Sequence, residues 1–294
     1  MLVLVTINYN DFKSTSNFVY SIAQYDAIDR IVIVDNHSVD DSFKKLMELS
    51  SEKIHVIQTK ENLGYAKGNN FGINYATSKW DVDYLAISNP DVYFTEKTLI
   101  NVIETMKCDS QIAICTAIMK NQTGRAFTNF SSRLPKYSDL LLSCFQGIVQ
   151  FRNKVLKKSE YTPVEDIKNL DVFYTDVVPG SFFVADRYKF EEIGYFDERT
   201  FLYYEENIIA YKLKEKKYKE AILPKESYNH FHSVSIDKNI KKKLTLNRIM
   251  LNSSLVYLEI IKTSSLKIAI YKILYWMGFP ERCLFSKVAR LIRK

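Results

Sequence analysis

The chain has 294 residues, of which 47% are hydrophobic, and a formal net charge of +7. Such a chain can bury a large core, so we expect a globular protein of one large domain or a domain with an appendage. No apolar run approaches the ~20 residues of a membrane-spanning helix. The cysteines lack metal-ligand spacing, and the short apolar N-terminus lacks the basic leader of a signal peptide. We therefore expect reduced thiols in a cytoplasmic protein that does not cross a bilayer.

The first part of the chain alternates between short apolar runs and segments with helical spacing. The apolar runs, typical of strands buried on both faces, are Leu2–Ile7, Arg30–Val34, Ile54–Gln58 and Tyr84–Ser88. Helical spacing occurs between them, in Ser14–Tyr25, Ser42–Leu49 and Ala66–Tyr75. This order predicts a parallel α/β sheet with right-handed crossovers.

The second part of the chain is less regular. After a fifth apolar run, Ile112–Met119, residues 121–176 lack sustained periodicity and are predicted to form a substrate loop or lid. A regular sequence pattern returns at Val177–Val184. The remaining predicted elements are helices at Lys189–Ile193 and Glu205–Lys217, a last strand at Ala221–Pro224, and helical structure from Lys241 onward with a break at Gly278.

Polar side chains follow the first two predicted strands. They are Asn8, Tyr9 and Asn10 after the first strand, and Asp35 and Asn36 after the second. Ligands of open α/β sheets bind beyond the carboxyl ends of the strands. Amides and carboxylates there suit a uracil or thymine edge and ribose hydroxyls, although Asn and Asp also close turns by bonding their own backbone.

The next polar segment, residues 62–70, enters a predicted helix and contains Gly64, Lys67, Gly68 and Asn69. Glycine allows close backbone approach to a ligand, and a positive charge near a helix start suits a phosphate. An ordinary helix N-terminus is the alternative. The segment is not a Walker loop, and no G-x-G-x-x-G motif opens the first helix.

Candidate metal ligands follow the strand predicted at residues 84–88. A hard divalent cation binds oxygen ligands, and one or two carboxylates with substrate phosphates can form its site. Asp91 and the carbonyl of Asn89 are such ligands, with a plain turn as the alternative. His230 and His232 lie beyond the predicted last strand, where one of them could contact the metal or a diphosphate, although such pairs are also commonly structural.

Two acids, Glu205 and Glu206, open a predicted helix directly after the aromatic run Phe201–Tyr204. A glutamate desolvated by aromatic rings has a raised pKa, which suits a general base. Acids at a helix start are also favourable with the helix dipole, which is the alternative. Only one of the two side chains is expected to point into the cleft.

These motifs, in this order, resemble the family 2 inverting glycosyltransferases with the GT-A fold, particularly the bacterial rhamnosyltransferase-like branch that builds surface polysaccharides. The resemblance covers roughly residues 2–235. Besides the motifs above, it is carried by Val178–Ser181 and Ile193–Glu198. It implies a Rossmann-like, mostly parallel α/β sheet flanked by helices, with a C-terminal helical extension.

The resemblance also implies roles for individual residues. It implies Mg²⁺ or Mn²⁺ as cofactor on Asp91 and a base at Glu206, with Glu205 beside it. Around the nucleotide sugar it implies Asn8, Tyr9, Asn10, Asp35, Asn36, Gly64, Lys67, Asn69, Asn89 and Gly180. Three positions depart from the family pattern: Asn89 replaces an acid of the metal motif, Glu206 is one methylene longer than the usual Asp, and Ile208 replaces a common Asp.

We accordingly expect a catalytic domain at 1–237, with a nucleotide-binding half to about 119 and an acceptor half from about 120, and a basic amphipathic extension at 238–294. The expected donor is a UDP or dTDP sugar of rhamnose, galactose or glucose type. The expected acceptor is a lipid-linked saccharide of capsule, O-antigen or cell-wall synthesis. The apolar segment 268–279 with flanking Lys and Arg predicts peripheral membrane contact, or docking on the catalytic domain or in a homodimer.

Three other functions compete with this interpretation. A nucleotidyltransferase would need a glycine-rich triphosphate loop after the first strand, and Asn8–Asp11 is not one. A non-catalytic scaffold subunit of a polysaccharide assembly complex is the main alternative, because Asn89 and Ile208 depart from the pattern. Nucleic-acid binding is not expected, since the basic residues are not part of a recognition module.

Overall fold

The computed structural model of the protein describes residues 1–127, 130–155, 162–231 and 243–292. The strands are β1 (Leu2–Asn8), β2 (Arg30–Asp35), β3 (Ile54–Gln58), β4 (Tyr84–Ser88), β5 (Val92–Tyr93), β6 (Ile112–Lys120), β7 (Phe173–Thr175), β8 (Phe182–Asp186) and β9 (Lys219–His230). The helices are α1 (Phe12–Ile22), α2 (Ser42–Met47), α3 (Gly64–Lys79), α4 (Glu96–Cys108), α5 (Tyr137–Ser143), α6 (Gln146–Val155), α7 (Val164–Ile167), α8 (Arg187–Glu192), α9 (Glu205–Glu215), α10 (Lys243–Ile260), α11 (Ser265–Met277) and α12 (Phe279–Ile292).

The described strands form one mixed sheet in the order β3-β2-β1-β4-β8-β6-β9-β5, with β7 paired to β9. The first four strands of this order are parallel, as predicted, and β8 runs antiparallel to both β4 and β6. The interior of β2, Ile31 to Val34, is fully buried, as expected for a strand covered by helices on both faces. The prediction of a mostly parallel α/β sheet flanked by helices is confirmed.

Helix α3 lies very close to the parallel half of the sheet because it presents glycines to it. A Cβ added to Gly72 would stand 2.6 Å from Val5 Cγ1 and 2.7 Å from Val34 Cγ2. One turn earlier, a Cβ on Gly68 would stand 2.9 Å from Ile7. Real Cβ atoms do not tolerate such contacts with a packed core. The glycine face therefore sets the rotation of α3, and with it the positions of the residues at its start.

The last strand is much longer than predicted. The sequence pattern predicts a strand at Ala221–Pro224, whereas β9 extends to His230. Its parallel register with β6 shifts between Leu223 and Ser227, so the residues around Pro224 leave the ladder as a bulge. Proline lacks the N–H that a ladder needs and is tolerated at such irregularities. The expectation that His230 lies beyond the last strand is therefore wrong, because it is the final residue of β9.

The segment predicted as an irregular loop at residues 121–176 contains regular structure. Helices α5, α6 and α7 and strand β7 lie within it. Its helix α5 packs with α9 and the C-terminal helices in a second apolar core, which is separate from the core of the sheet. The largest buried side chains of this second core are Tyr257 and Tyr271. The packing partner of α5 thus comes from the far end of the chain, which local periodicity cannot reveal.

The C-terminal region is helical as predicted, and α11 gives way to α12 at Gly278. A second interruption, between α10 and α11, was not predicted and contains Lys262 in the left-handed region with φ of 56°. Among the helices that the structure describes, none combines the length and apolar content that crossing a membrane requires. The predicted division at residue 237 falls outside the described residues and stays a prediction.

Candidate active site

A cavity of about 1000 Å³ opens at the carboxyl edge of the parallel strands. It is bounded on one side by the loops after β1, β2 and β4, and on the other by the α5–α6 segment and the start of α9. The residues predicted from sequence that line it are Tyr9, Asn36, Gly64, Asn89, Asp91, Gly180, Glu205, Glu206 and His230. These residues come from seven separate stretches of sequence, and the fold brings them to one place.

Two predicted ligand residues, Asn8 and Asp35, lie beneath the cavity rather than on its surface. They are register partners at the ends of β1 and β2 and are fully buried. Asn8 Nδ2 donates to Asp35 Oδ2 at 2.8 Å, and the hydroxyl of Thr15 donates to Asn8 Oδ1. Asp35 also accepts from Ser38 N at 2.9 Å and from Gln58 Nε2 at 3.0 Å. This network holds the two loops together, as hydrogen-bonded buried polar groups do.

Three further predicted residues are not among those that line the cavity. Lys67 lies on the solvent-exposed side of α3. Asn69 is buried and donates to Tyr65 O at 3.1 Å, within its own helix. Asn10 adopts a left-handed conformation with φ of 52° and accepts from Val39 N through its side chain. Their nucleotide-binding roles stay predictions, and His232 lies outside the described residues.

Gly64 is a close junction between the loop after β3 and the loop before α9. It has φ of +77°, and a Cβ there would stand 2.4 Å from the carbonyl oxygen of Phe201. Tyr65 N donates to that same oxygen at 2.7 Å, while Asn36 Nδ2 donates to Gly64 O at 3.0 Å. Only glycine allows both the left-handed backbone and this approach. The close approach inferred from the sequence is present, with protein backbone as the neighbour.

Asp91 and His230 form the second feature of the cavity. Phe231 N donates to Asp91 O, and Val92 pairs with His230, so strands β5 and β9 hold the two residues side by side. His230 Nε2 lies 3.4 Å from Asp91 Oδ2, and the side chains are only 11% and 7% exposed. Asn89 lies at the same rim and donates its backbone N–H to Ser181 O at 2.8 Å.

This arrangement fits a divalent cation that shares its coordination with a substrate. The 3.4 Å separation of His230 Nε2 and Asp91 Oδ2 suits two neighbouring ligands of one octahedral ion, which lie roughly 3 Å apart. In the described part of the chain, no cluster of three or more His, Cys, Asp or Glu side chains could hold a metal alone. The remaining positions would have to be filled by Asn89, water or phosphate oxygens.

The two glutamates at the start of α9 have different environments. Tyr203 and Tyr204 precede them in the left-handed region, with φ of 75° and 68°. Two consecutive bulky residues in this conformation are strained, and such strain is concentrated at functional sites. Glu205 is 4% exposed, whereas Glu206 is half-buried and its Oε2 lies 3.8 Å from the point where a Cβ on Gly180 would stand. Glu206 therefore has the open space beside a glycine that a reacting group needs.

Burial raises the pKa of both carboxyl groups. Burial, followed by the charge of Glu206, raises the pKa of Glu205 to about 8. Burial alone raises the pKa of Glu206, with hydrogen bonding to the backbone in opposition. The charge of one carboxyl group opposes ionisation of the other, so the two groups do not ionise independently. A pair of carboxyl groups that shares one proton can supply both an acid and a base.

The Val178–Ser181 segment forms the wall next to Glu206. The Tyr65 hydroxyl donates to Gly180 O at 2.7 Å, which joins this wall to helix α3. Below it, Glu220 Oε2 accepts from Val178 N at 2.7 Å. Glu220 is buried, and this burial raises its pKa well above the ordinary value. Sequence reasoning named Gly180 but missed the supporting contacts, since both partners are distant in sequence.

Sequence reasoning also missed the far side of the cavity. Arg133, Asp139 and Arg152 line it, and all three belong to the segment predicted as an irregular loop. No local motif marks them. Asn62 and Tyr65 line the side formed by the strand-end loops and did belong to a recognised motif, but they were not singled out as site residues.

The family model described as glycosyl transferase family 2 matches residues 3–194, which is well over half of the chain and contains most of the motifs above. The chain belongs to glycosyl transferase family 2. This confirms the family predicted from the motifs, and it identifies the chain as having a glycosyltransferase domain. The matched range includes Asn89, Asp91 and Gly180 but ends before Glu205 and His230.

A curated relative is the low-salt glycan biosynthesis hexosyltransferase Agl10 of Haloferax volcanii. It is 25% identical over 213 residues, which are 72% of this chain and 61% of Agl10. The chain thus aligns with about three fifths of the length of this relative.

Solved structures of glycosyltransferases share the fold. The crystal structure of GalNAc-T7 with UDP, GalNAc and Mn²⁺ has a TM-score of 0.62 at 14% identity, covering 87% of this chain and 48% of that one. Staphylococcus aureus TarS 1–349 with UDP-GlcNAc has a TM-score of 0.56 at 14% identity, covering 98% and 74%. The mannosyltransferase PcManGT from Pyrobaculum calidifontis with GDP-Man and Mn²⁺ has a TM-score of 0.55 at 12% identity, covering 100% and 80%. The GT-A fold prediction is confirmed.

The raised pKa of Glu205 predicts a pH-dependent stability. The folded state holds this proton up to about pH 8, whereas an unperturbed glutamate loses it near 4.5. Stability contributed by the protonated form is therefore complete below pH 4.5 and is lost as pH rises to 8. Glutamine does not ionise, so the free energy of unfolding of Glu205→Gln should increase relative to that of wild type as pH rises from 5 to 8. The increase should be on the order of 3 kcal/mol, since each pKa unit corresponds to ~1.4 kcal/mol.

Urea unfolding of wild type and Glu205→Gln at pH 5, 6.5 and 8 measures this gain. Glu215→Gln is the matched control, because Glu215 lies on the same helix and is exposed. An equal stability difference between Glu205→Gln and wild type at all three pH values would show that Glu205 is not protonated in the folded protein.

Proposed function

We propose that the protein transfers a hexosyl group from a nucleoside-diphosphate sugar to a saccharide acceptor, with inversion at the anomeric carbon. The observation that carries this proposal is the presence of Asp91, His230 and Glu206 in one cavity at the carboxyl edge of the sheet. Asp91 and His230 suit the role of ligands to a cation that binds a diphosphate, and Glu206 suits the role of proton acceptor. The solved relatives named above were crystallised with UDP, UDP-GlcNAc or GDP-Man, which supports a nucleotide-sugar donor.

The donor is assigned to the side of the cavity formed by the strand-end loops. We assign the base and ribose to Asn36 and Tyr9, which line the cavity next to the buried network of Asn8 and Asp35. Asp91 and His230, with Asn89, would hold Mg²⁺ or Mn²⁺. That ion would supply positive charge to the leaving diphosphate. We favour a UDP or dTDP sugar of rhamnose, galactose or glucose type, as in the rhamnosyltransferase-like branch.

Glu206 is assigned as the general base. Its half-buried carboxylate faces the gap at Gly180, where an acceptor hydroxyl can approach. Once ionised, Glu206 removes the proton of that hydroxyl as the oxygen attacks the anomeric carbon from the side opposite the leaving group. Glu205 keeps its proton at neutral pH and so does not add a second negative charge beside the base. We assign the acceptor as a saccharide of glycan biosynthesis, which agrees with the name of the relative Agl10.

Glu206→Gln should reduce turnover by about 10²–10⁴-fold while donor affinity stays within a few-fold of wild type, because only the proton acceptor is lost. Initial rates of nucleotide release from a cognate nucleotide sugar with an acceptor measure this, and a thermal-shift panel of nucleotide sugars with Mn²⁺ identifies that donor. Wild-type kcat should rise with pH through the raised pKa of Glu206, since the base acts when ionised.

Glu205→Gln is the matched comparison for the base assignment. It removes a neighbouring carboxyl group of the same size and should lower kcat much less than Glu206→Gln. If Glu206→Gln retains full turnover, or if Glu205→Gln has the larger effect, the base is misassigned.

Asp91→Asn should weaken metal-dependent donor binding by at least about tenfold, because a charged ligand of a hard cation becomes a neutral one. Isothermal titration of the donor nucleotide with Mn²⁺ and with EDTA measures the metal-dependent part. Asp81→Asn, at an exposed position away from the cavity, is the control. Identical wild-type affinity with and without metal would contradict a cation at Asp91.

We also propose that α11 binds the surface of an anionic membrane. Four apolar side chains at helical spacing point away from the second core: Leu266, Ile270, Ile273 and Met277, of which three are more than 60% exposed. Lys267 and Lys272 on the same helix are also exposed. An apolar stripe with flanking lysines matches a bilayer interface with anionic lipids, as peripheral helices do. Such attachment would bring the cavity to a lipid-linked acceptor.

Replacing Ile273 and Met277 together by Asp should reduce flotation with phosphatidylglycerol vesicles by at least about tenfold, since each side chain loses roughly 1.5 kcal/mol of burial. Ile100→Asp is the control, because Ile100 is 43% exposed on α4. Equal recovery of the double variant and wild type with the vesicles would contradict the membrane role. If wild type is a dimer and the double variant is a monomer, the apolar stripe of α11 instead binds a second copy of the chain.

A further inference from the structure

The wall of the cavity that faces the strand-end loops contains two arginines. Arg133 precedes α5 and Arg152 lies within α6, and both line the same cavity as Glu206. Arg133 Nη2 lies 2.9 Å from Asp139 Oδ1, and Arg152 Nη1 lies 3.9 Å from that same oxygen. The two guanidinium groups therefore converge on one point of the cavity wall.

Arg133 is positioned by its ion pair with Asp139 of α5, and Arg152 by its place in α6. Asp139 is 10% exposed, and its second oxygen accepts from Lys136 N at 2.8 Å, which ties it to the start of α5. Arg152 is 16% exposed, so most of its side chain is enclosed, whereas Arg133 is 44% exposed. A fixed, partly desolvated guanidinium group such as that of Arg152 interacts with anions more strongly than mobile surface lysines do.

This pair has no role in the chemistry assigned so far. The donor diphosphate is assigned to the cation at Asp91, which follows β4, and His230, which ends β9. The arginines belong instead to a helical segment inserted between β6 and β7, which also contributes Ser143 and Gln146 to the cavity. A group that reaches both arginines is thus bound by different elements from those that hold the donor.

We propose that Arg133 and Arg152 form an acceptor subsite for an anionic group, a phosphate ester or a sugar carboxylate. A planar guanidinium group can donate two parallel hydrogen bonds to either anion. The proposal rests on the transferase function above and specifies its acceptor class: a saccharide that carries negative charge near the hydroxyl to be glycosylated.

The test compares three acceptors of the same sugar: a neutral methyl glycoside, a glycosyl 1-phosphate and a methyl uronide. Each acceptor is assayed with wild type, Arg133→Gln, Arg152→Gln and the double variant. The wild-type KM should be at least about tenfold lower for one charged series, and which series it is distinguishes phosphate from carboxylate. Each Arg→Gln change should raise that KM about 10–100-fold, the range of a charge-assisted hydrogen bond. The KM for methyl glycosides and the rate of donor hydrolysis without acceptor should not change.

Arg125→Gln is the matched control, since Arg125 is exposed and does not line the cavity. Arg152→Lys should bind the charged acceptor more tightly than Arg152→Gln but less tightly than wild type. Lysine keeps the positive charge but lacks the planar guanidinium group that forms paired hydrogen bonds. Equal KM values for neutral and charged acceptors would overturn the proposal. So would variants that weaken donor binding instead, which would assign the arginines to the donor diphosphate.

A binding measurement keeps the proposal separate from the transferase function. Titration of glucose 1-phosphate and glucuronic acid into the full chain with EDTA requires no turnover and no metal. Wild type should bind one of them at least about tenfold more tightly than the double variant does, and equal affinities would overturn the subsite. Absence of donor cleavage by wild type with every nucleotide sugar would instead contradict the transferase function.

Discussion

The site depends on the pairing of β9 with both β6 and β5. These pairs place His230 next to Val92 and therefore 3.4 Å from Asp91, across 139 residues of sequence. The bulge around Pro224 makes this possible, because the strand shifts its register and then continues along β6. Without that continuation the imidazole would have no fixed position, and Asp91 would be a lone carboxylate at the end of a short turn.

The site also retains acidic groups that burial disfavours. Glu205, Glu206 and Glu220 all have pKa values raised by burial, and each sits beside a segment that lines the cavity. Tyr203 and Tyr204 add backbone strain at the same place. A sequence optimised for stability alone would avoid this concentration of unfavourable features, which is typical of functional sites.

The C-terminal helices support the loop that precedes Glu205 and Glu206. Ser253 donates to Leu202 O at 2.8 Å, and the rings of Tyr204 and Tyr257 pack with centroids 5.7 Å apart. Ile208, at the position where the family commonly has Asp, is fully buried in this second core. An aspartate there would be buried among apolar side chains, which is costly without a partner. The departure seen in the sequence therefore has a packing reason.

The sequence by itself determined the parallel half of the sheet, the family and most of the residues at the cavity rim formed by the strand-end loops, because β-branched runs and the polar residues that end them are local patterns. Asp91 and Glu206 were singled out from the sequence, and both line the cavity. Only the tertiary structure decided that Lys67 points to solvent, that His230 ends a strand beside Asp91, and that Arg133 and Arg152 face the same cavity. These positions depend on the glycine face of α3, a bulge in β9 and helices packed by the distant C-terminus. Such contacts join residues far apart in the chain, and no local pattern encodes them.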